Sequence, residues 1–134
     1  MRLGATLSIL LLLAPAASAD EVERKKPVPV TLRGQVVCSI CWDEADRTKV
    51  AYGTKDDLAC ARRCNAKGVP AALAVTENGA TELYVLEVGK LPRKGTGWLD
   101  VIAREVEVTG SVTRGEGLPH IKVDSLRPLR ERSD

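Results

Sequence analysis

The sequence predicts a mainly β domain: a five-stranded barrel with a helical, cysteine-containing insertion between strands one and two and a short helix before strand four. Three observations lead to this fold class. Apolar and polar residues alternate in residues 30–36 and again in residues 105–113, which is the period of a half-buried strand. Asn78-Gly79 lies between two apolar segments and predicts a tight hairpin turn, because both central residues of such a turn need positive φ. A cysteine-rich segment with helix signals separates the first strand from that hairpin.

The insertion carries the predicted helix, residues 54–67. Thr54 is a good N-cap, and Asp57 follows three residues later, which is a capping-box pattern. Gly68 is a natural C-terminal stop, and Pro70 prevents the helix from continuing. The helix is therefore bounded at both ends by the sequence itself.

The remaining elements follow in order along the chain. Two apolar segments on either side of Asn78-Gly79 predict strands two and three, and a short helix follows a loop at residues 90–97. Two further segments predict the last pair of strands, joined by a turn. The predicted elements are strands at residues 71–76, 83–88, 105–113 and 121–126, with the short helix at 98–103.

The first nineteen residues have the features of a secretory signal peptide. Arg2 gives a positive start, residues 7–13 form a short apolar core, and Ala17-Ser18-Ala19 supplies the small residues that precede a cleavage site. The apolar core is too short to span a bilayer, so we expect cleavage after Ala19 and no transmembrane anchor. The expected organisation is a signal peptide at 1–19, a flexible leader at 20–29, the domain at 30–128 and a charged tail at 129–134. We therefore expect an exported protein, either periplasmic or secreted.

Composition narrows the class of ligand. The chain has 20 Lys and Arg against 18 Asp and Glu, a formal charge of +2, which becomes +1 when Arg2 leaves with the signal peptide. Aromatic residues are 3% of the chain, and Phe is absent. Proteins that bind nucleic acid usually combine a basic surplus with stacking aromatic residues, so we do not expect nucleic acid as the ligand.

The sequence also resembles a family of exported bacterial OB-fold domains that carry a cysteine-bearing insertion after strand one. The resemblance lies in residues 31–38, 105–113 and 121–126, and in the Cys-x3-Cys helix, Gly68 and Pro70 that precede strand two. It covers most of the mature chain and implies an OB-fold barrel. It implies no particular activity.

All four cysteines of the chain lie in or beside the insertion: Cys38, Cys41, Cys60 and Cys64. In an oxidising compartment such a cluster forms two disulfides, a metal site or a redox pair. Cys60 and Cys64 are one helical turn apart, farther than disulfide geometry allows on an intact helix. We therefore expect two disulfides that join the first pair to the second, either Cys38–Cys64 with Cys41–Cys60 or the crossed set.

Two alternatives stay open at this point. Four thiolates with this spacing can hold Zn²⁺ or Cu⁺, although export favours oxidation of free thiols. A periplasmic dithiol–disulfide oxidoreductase using Cys38 and Cys41 is the enzymatic alternative, and it requires a lowered thiol pKa. No cofactor is expected unless the metal alternative holds.

The sequence favours a non-enzymatic binding or structural domain whose partner is an unidentified small molecule or protein. Three residues outside the cysteine cluster are candidates for a ligand face. Trp42 directly follows Cys41, while Arg114 and His120 border the turn between strands four and five, which in OB-folds flanks the usual ligand face.

Overall fold

The protein is described by a computed structural model that covers residues 26–88 and 97–129. The predicted signal peptide, most of the leader, most of the loop at 90–97 and most of the tail lie outside the described residues. The strands are β1 (Val28–Cys38), β2 (Ala71–Glu77), β3 (Ala80–Val88), β4 (Glu105–Thr113) and β5 (His120–Pro128), and the helix is α1 (Lys55–Ala66). Short 3₁₀ helices lie at Cys41–Glu44 and Trp98–Val101.

The five strands close into a barrel in the order β1-β2-β3-β5-β4. The long first strand makes the closure possible, because its N-terminal part pairs with β4 and its C-terminal end pairs with β2. All pairings are antiparallel except β3 with β5, which is parallel. The predicted fold class is confirmed, including the insertion after β1 and the short helix before β4.

Most element boundaries lie close to those predicted. Strand β4 has the predicted bounds, whereas β1 begins at Val28, two residues earlier than expected, because Val28 and Pro29 continue the pairing with β4. The hairpin between β2 and β3 turns at Asn78 and Gly79, whose φ angles are +53° and +79°. Both central residues thus adopt the positive φ that a type I′ turn requires.

The helix α1 starts with the predicted capping box. The Thr54 side chain accepts a hydrogen bond from the Asp57 backbone N–H, and the Asp57 carboxylate accepts one from the Thr54 backbone N–H. This exchange satisfies two of the donors that every helix N-terminus leaves free. At the other end Gly68 has φ +78°, the conformation expected of a glycine stop.

The core is made of small and branched aliphatic side chains, with few aromatic rings. The fully buried members include Val36, Leu73, Val106, Val108 and Ile121. Two glycines allow strands to approach closely: a Cβ at Gly34 would overlap the Ala74 carbonyl, and one at Gly110 would overlap the Lys122 carbonyl. Within residues 26–88 and 97–129, no helix is long and apolar enough to cross a membrane.

Candidate functional site

The four cysteines converge where the insertion meets one end of the barrel. Cys38 is the last residue of β1, Cys41 opens the first 3₁₀ helix, and Cys60 and Cys64 lie one turn apart on α1. Cys41 and Cys60 form a disulfide bond with their Cα atoms 6.6 Å apart. Cys60 and Cys64 on the helix therefore do not bond to each other, as their spacing predicts. The Cys41–Cys60 bond instead ties α1 to the segment that follows β1.

The other two cysteines remain next to this bond. Cys38 is fully buried and Cys64 is partly buried, and neither forms a disulfide in the structure. The sulfur atoms of Cys38, Cys41 and Cys64 all lie within 4.8 Å of one another, with 3.7 Å between those of Cys41 and Cys64. Burial and the hydrogen bond with Cys38 raise the pKa of the Cys64 thiol, so Cys64 is protonated at neutral pH. Of the predicted set Cys38–Cys64 with Cys41–Cys60, the structure contains the Cys41–Cys60 bond, whereas Cys38–Cys64 is not formed.

A buried ion pair holds the insertion together beside the cluster. The Arg47 guanidinium donates to both carboxylate oxygens of Asp57, at 2.8 and 3.3 Å, and also to the backbone carbonyls of Cys41 and Trp42. The side chains of Arg47 and Asp57 are only 9% and 10% exposed. Arg47 thus links the first 3₁₀ helix to the N-terminus of α1.

Asp57 is the most strongly stabilised carboxylate of this region. Burial by itself raises its pKa, but the hydrogen bonds from Arg47, Gly53 and Thr54 outweigh burial and lower the pKa from the usual 3.8 to about 2. Because these donors bind the charged form, ionised Asp57 stabilises the folded state above pH 3.8. That contribution is lost as the pH falls from 3.8 toward 2.

This pKa predicts a pH-dependent difference between the natural chain and Asp57→Asn. The difference between the free energies of unfolding of the two proteins should be largest at pH 6 and should shrink toward pH 2. The expected decrease is about 1–2 kcal/mol, after allowance for the residual hydration of the helix end. Urea titrations at pH 6, 4 and 2.5 measure this. The exposed neighbour Asp56 supplies the control, because Asp56→Asn removes a carboxylate that has no hydrogen-bond or ion-pair partner among the described residues. A constant difference across the three pH values would contradict the prediction.

Arg47 also organises two aromatic side chains. Its guanidinium carbon lies 5.5 Å from the centre of the Trp42 ring and 5.0 Å from the centre of the Tyr52 ring. The Tyr52 hydroxyl accepts a hydrogen bond from the backbone N–H of Cys38, at 3.0 Å. Tyr52 is buried, and its burial raises the pKa of its phenol. The aromatic pair therefore connects the cysteine cluster to the surface of the insertion.

An open cleft of about 590 Å³ lies between the insertion and the β2–β3 hairpin. The insertion supplies one wall and the hairpin supplies the other, with Gln35 of β1 at the junction. The lining residues are Gln35, Trp42, Arg47, Thr48, Ala51, Tyr52, Thr76, Gly79 and Thr81.

The other two candidates for a ligand face have separate partners. Arg114 forms an ion pair with Glu82 at 2.7 Å and lies over the Tyr84 ring. It borders an apolar groove of about 220 Å³ that involves the start of β1. His120 Nδ1 lies 3.0 Å from a Glu87 carboxylate oxygen, and both side chains are about half exposed. Trp42, by contrast, belongs to the cleft beside the insertion, so within the described part of the chain the three predicted residues share no hydrogen-bond, ion-pair or cation–π partner.

Sequence reasoning did not identify the contribution of three residues. Asp57 was assigned only to the helix cap, and Arg47 and Tyr52 were assigned no role. No local pattern marks Arg47, since its partner lies ten residues away on another element. The sequence signal for Asp57 is its spacing: it precedes Cys60, Ala61 and Cys64 by three, four and seven residues, which places it on their helix face, where a carboxylate needs a cationic partner.

No family model, no curated protein and no solved structure matches the chain in comparisons with known proteins.

Proposed function

We propose that this chain is an exported, non-enzymatic binding domain of OB-fold type, in which the disulfide-stapled insertion forms one wall of a ligand cleft. The observation that carries the proposal is the cleft of about 590 Å³ between the insertion and the β2–β3 hairpin. Export is supported by the sequence of residues 1–19 and by the disulfide, which persists in oxidising compartments.

The strand order supports the OB-fold assignment. A closed β1-β2-β3-β5-β4 sheet with a short helix before the fourth strand is the arrangement of that fold. Ligands of OB-folds commonly bind across strands two and three and the loops beside them, which corresponds to the position of this cleft. Fold alone names no ligand, so the ligand class has to come from the residues that line the cleft.

The lining favours a small uncharged ligand with both an apolar face and hydrogen-bonding groups. Trp42 is partly exposed and offers an aromatic surface. Thr48, Thr76 and Thr81 offer hydroxyl oxygens that can still accept hydrogen bonds, although the Thr48 hydroxyl donates to Asp46 and those of Thr76 and Thr81 bond each other at 2.8 Å. The one cation of the lining, Arg47, is already neutralised by Asp57. Short oligosaccharides and short neutral peptides have this combination of groups.

The cleft is tested by recording ¹⁵N–¹H spectra of the oxidised domain with a panel of neutral oligosaccharides and capped tripeptides. We expect at least one class to shift the indole N–H signal of Trp42 and the amide signals of the β2–β3 hairpin. The indole signal of Trp98, which is buried in the core, is an internal control and should not move. Trp42→Ala should weaken that binding about fivefold or more, because loss of a contact with an aromatic ring costs on the order of 1 kcal/mol or more.

Two results would overturn the cleft as the ligand site. One is a panel that shifts no residue of the cleft. The other is binding that maps to the groove near Arg114 and Tyr84 and is unaffected by Trp42→Ala.

The state of the thiols supports a structural role over dithiol exchange. An oxidoreductase using Cys38 and Cys41 needs an accessible thiol with a lowered pKa. In this protein Cys41 is bonded to Cys60, and both Cys38 and Cys41 are fully buried. The pKa of Cys64, the thiol closest to the disulfide, is raised. Each of these features slows exchange with an external substrate.

We expect the oxidised protein to contain a second disulfide, Cys38–Cys64. The two sulfur atoms lie within 4.8 Å of each other, and thiol–disulfide exchange with an external disulfide, which is itself reduced to two thiols, would join them. Protein purified from an oxidising compartment, denatured and treated with an alkylating agent, should take up no label. Peptide mapping should then recover Cys38 linked to Cys64 and Cys41 linked to Cys60. Two labelled thiols at Cys38 and Cys64 would show that the domain is stapled by one bond only.

A further inference from the structure

We propose that the four cysteines form a binding site for one tetrahedrally coordinated Zn²⁺ ion whenever the Cys41–Cys60 bond is not formed. The chain would then have two alternative states, a disulfide-stapled state and a metal-bound state, built from the same side chains. This inference does not rest on the ligand cleft, because none of the four cysteines is among the residues that line it.

Three of the sulfur atoms are nearly in position for a metal. Those of Cys38, Cys41 and Cys64 lie within 4.8 Å of one another, and Cys41 Sγ is 3.7 Å from Cys64 Sγ. Zinc–thiolate bonds are about 2.3 Å long, so two sulfurs that share a tetrahedral zinc ion are about 3.8 Å apart. The Cys41–Cys64 distance therefore equals one edge of such a tetrahedron.

Cys60 can supply the fourth ligand after a small displacement. The Cα atoms of Cys41 and Cys60 are 6.6 Å apart, near the upper end of the range of about 4.4–6.8 Å that disulfides span. Once the bond is reduced, rotation about the Cα–Cβ bond of Cys60 can separate its sulfur from that of Cys41 to the roughly 3.8 Å at which two thiolates share a zinc ion, and the same rotation has to bring it toward Cys38 and Cys64. Cys60 is partly buried against the core cluster and lies on the same helix face as Cys64, so its side chain stays near the other sulfur atoms as it turns.

The surroundings of the four cysteine sulfurs favour binding of a metal cation over protonation of the thiols. Cys38 and Cys41 have no exposed surface, so thiolates at these positions cannot be stabilised by water. A divalent ion supplies the missing positive charge directly, and a tetrahedral set of four thiolates is the donor set typical of zinc. The Arg47 guanidinium, which donates to the Cys41 carbonyl at 2.9 Å, lies beside the site.

The two states exchange by a balanced reaction. Reduction of Cys41–Cys60 by an external dithiol gives two thiols in the protein and a disulfide in the reductant, and a second dithiol is consumed in the same way wherever Cys38–Cys64 has also formed. Binding of Zn²⁺ to the four thiols then releases four protons as the thiolates coordinate. A newly synthesised chain starts in the reduced state, so metal binding and oxidation compete for the same sulfurs before any reductant is needed.

The test uses tag-free mature protein, reduced with a phosphine, desalted without oxygen and titrated with Co²⁺ as a spectroscopic probe. We expect intense visible bands of tetrahedral Co²⁺ and a thiolate-to-cobalt charge-transfer band, both saturating at one equivalent. Zn²⁺ should displace the cobalt stoichiometrically and raise the melting temperature of the reduced protein. The oxidised protein, in which Cys41 and Cys60 are bonded to each other, should give neither band.

Variants distinguish the cysteine cluster from adventitious binding. Cys60→Ser changes a partly exposed residue and should weaken Co²⁺ binding at least tenfold and reduce the charge-transfer intensity. Cys38→Ser should do the same, with circular dichroism verifying that the strands persist. Arg62→Ala, an exposed change on the same helix, is the matched control and should bind Co²⁺ as the natural chain does. The proposal fails if the reduced natural chain gives only weak octahedral bands, or if folded Cys60→Ser binds with unchanged affinity and spectrum.

Discussion

Replacing Val108 with aspartate should leave the domain unfolded at 37 °C. Val108 is fully buried in the middle of β4, where it is paired with Leu32 of β1 and with Leu126 of β5. An aspartate at this position has no partner inside the barrel, and burying an unpaired carboxylate costs more than about 4 kcal/mol. Domains of this size have total stabilities of about 5–15 kcal/mol, so most of the folded population is lost. Circular dichroism and a thermal melt measure the effect.

The neighbouring position supplies the matched control. Thr109 is exposed on the outer face of the same strand, so Thr109→Asp adds the same charge without burying it. We expect that variant to melt cooperatively, close to the natural chain. An unchanged melting temperature for Val108→Asp would show that the inward face of β4 is wrongly assigned.

Replacing Arg47 with alanine should cost about 3–5 kcal/mol of unfolding free energy. The substitution leaves the buried Asp57 carboxylate without its ion-pair partner, and breaking a buried pair from one side typically costs this much. It also removes the donors to the carbonyls of Cys41 and Trp42. We place the loss toward the lower end of that range, because Gly53 and Thr54 still donate to Asp57. Urea-induced unfolding monitored by tryptophan fluorescence measures the change.

Two further variants show whether the loss comes from the buried pair. Lys49 forms an exposed ion pair with Asp46 in the same segment, and Lys49→Ala should leave the unfolding midpoint unchanged. The double variant Arg47→Met, Asp57→Asn removes both charges and should recover part of the stability lost in Arg47→Ala. If the double variant is no more stable than Arg47→Ala, packing rather than the unpaired charge accounts for the loss.

Much of the fold is readable from the sequence because it depends on local periodicity. Alternation with a period of two marks β4 with the bounds that the structure has, and Asn78-Gly79 marks the hairpin by the positive φ that the turn requires. The cap at Thr54 and the stop at Gly68 define α1 to within a residue or two. Such signals can be read from the sequence because each arises within a few neighbouring residues.

The pairing of distant residues is only partly readable. The spacing of Cys60 and Cys64 excludes a bond between them. It therefore predicts that each bonds to a cysteine that precedes the helix. This spacing does not distinguish between the two possible sets of disulfide pairings. The choice of Cys60 for Cys41 depends on how α1 lies across the end of the barrel, which no local pattern specifies.

The sequence by itself determined the five strands, the insertion and the four cysteines that meet in it, because these follow from period, caps and spacing. Tertiary structure alone decided which cysteines pair, that Arg47 neutralises Asp57, and that Trp42 faces the β2–β3 hairpin while Arg114 and His120 have other partners. These contacts join residues from separate elements. They are set when the sheet closes, because closure positions the insertion against one end of the barrel and leaves the β4–β5 turn with partners on β3.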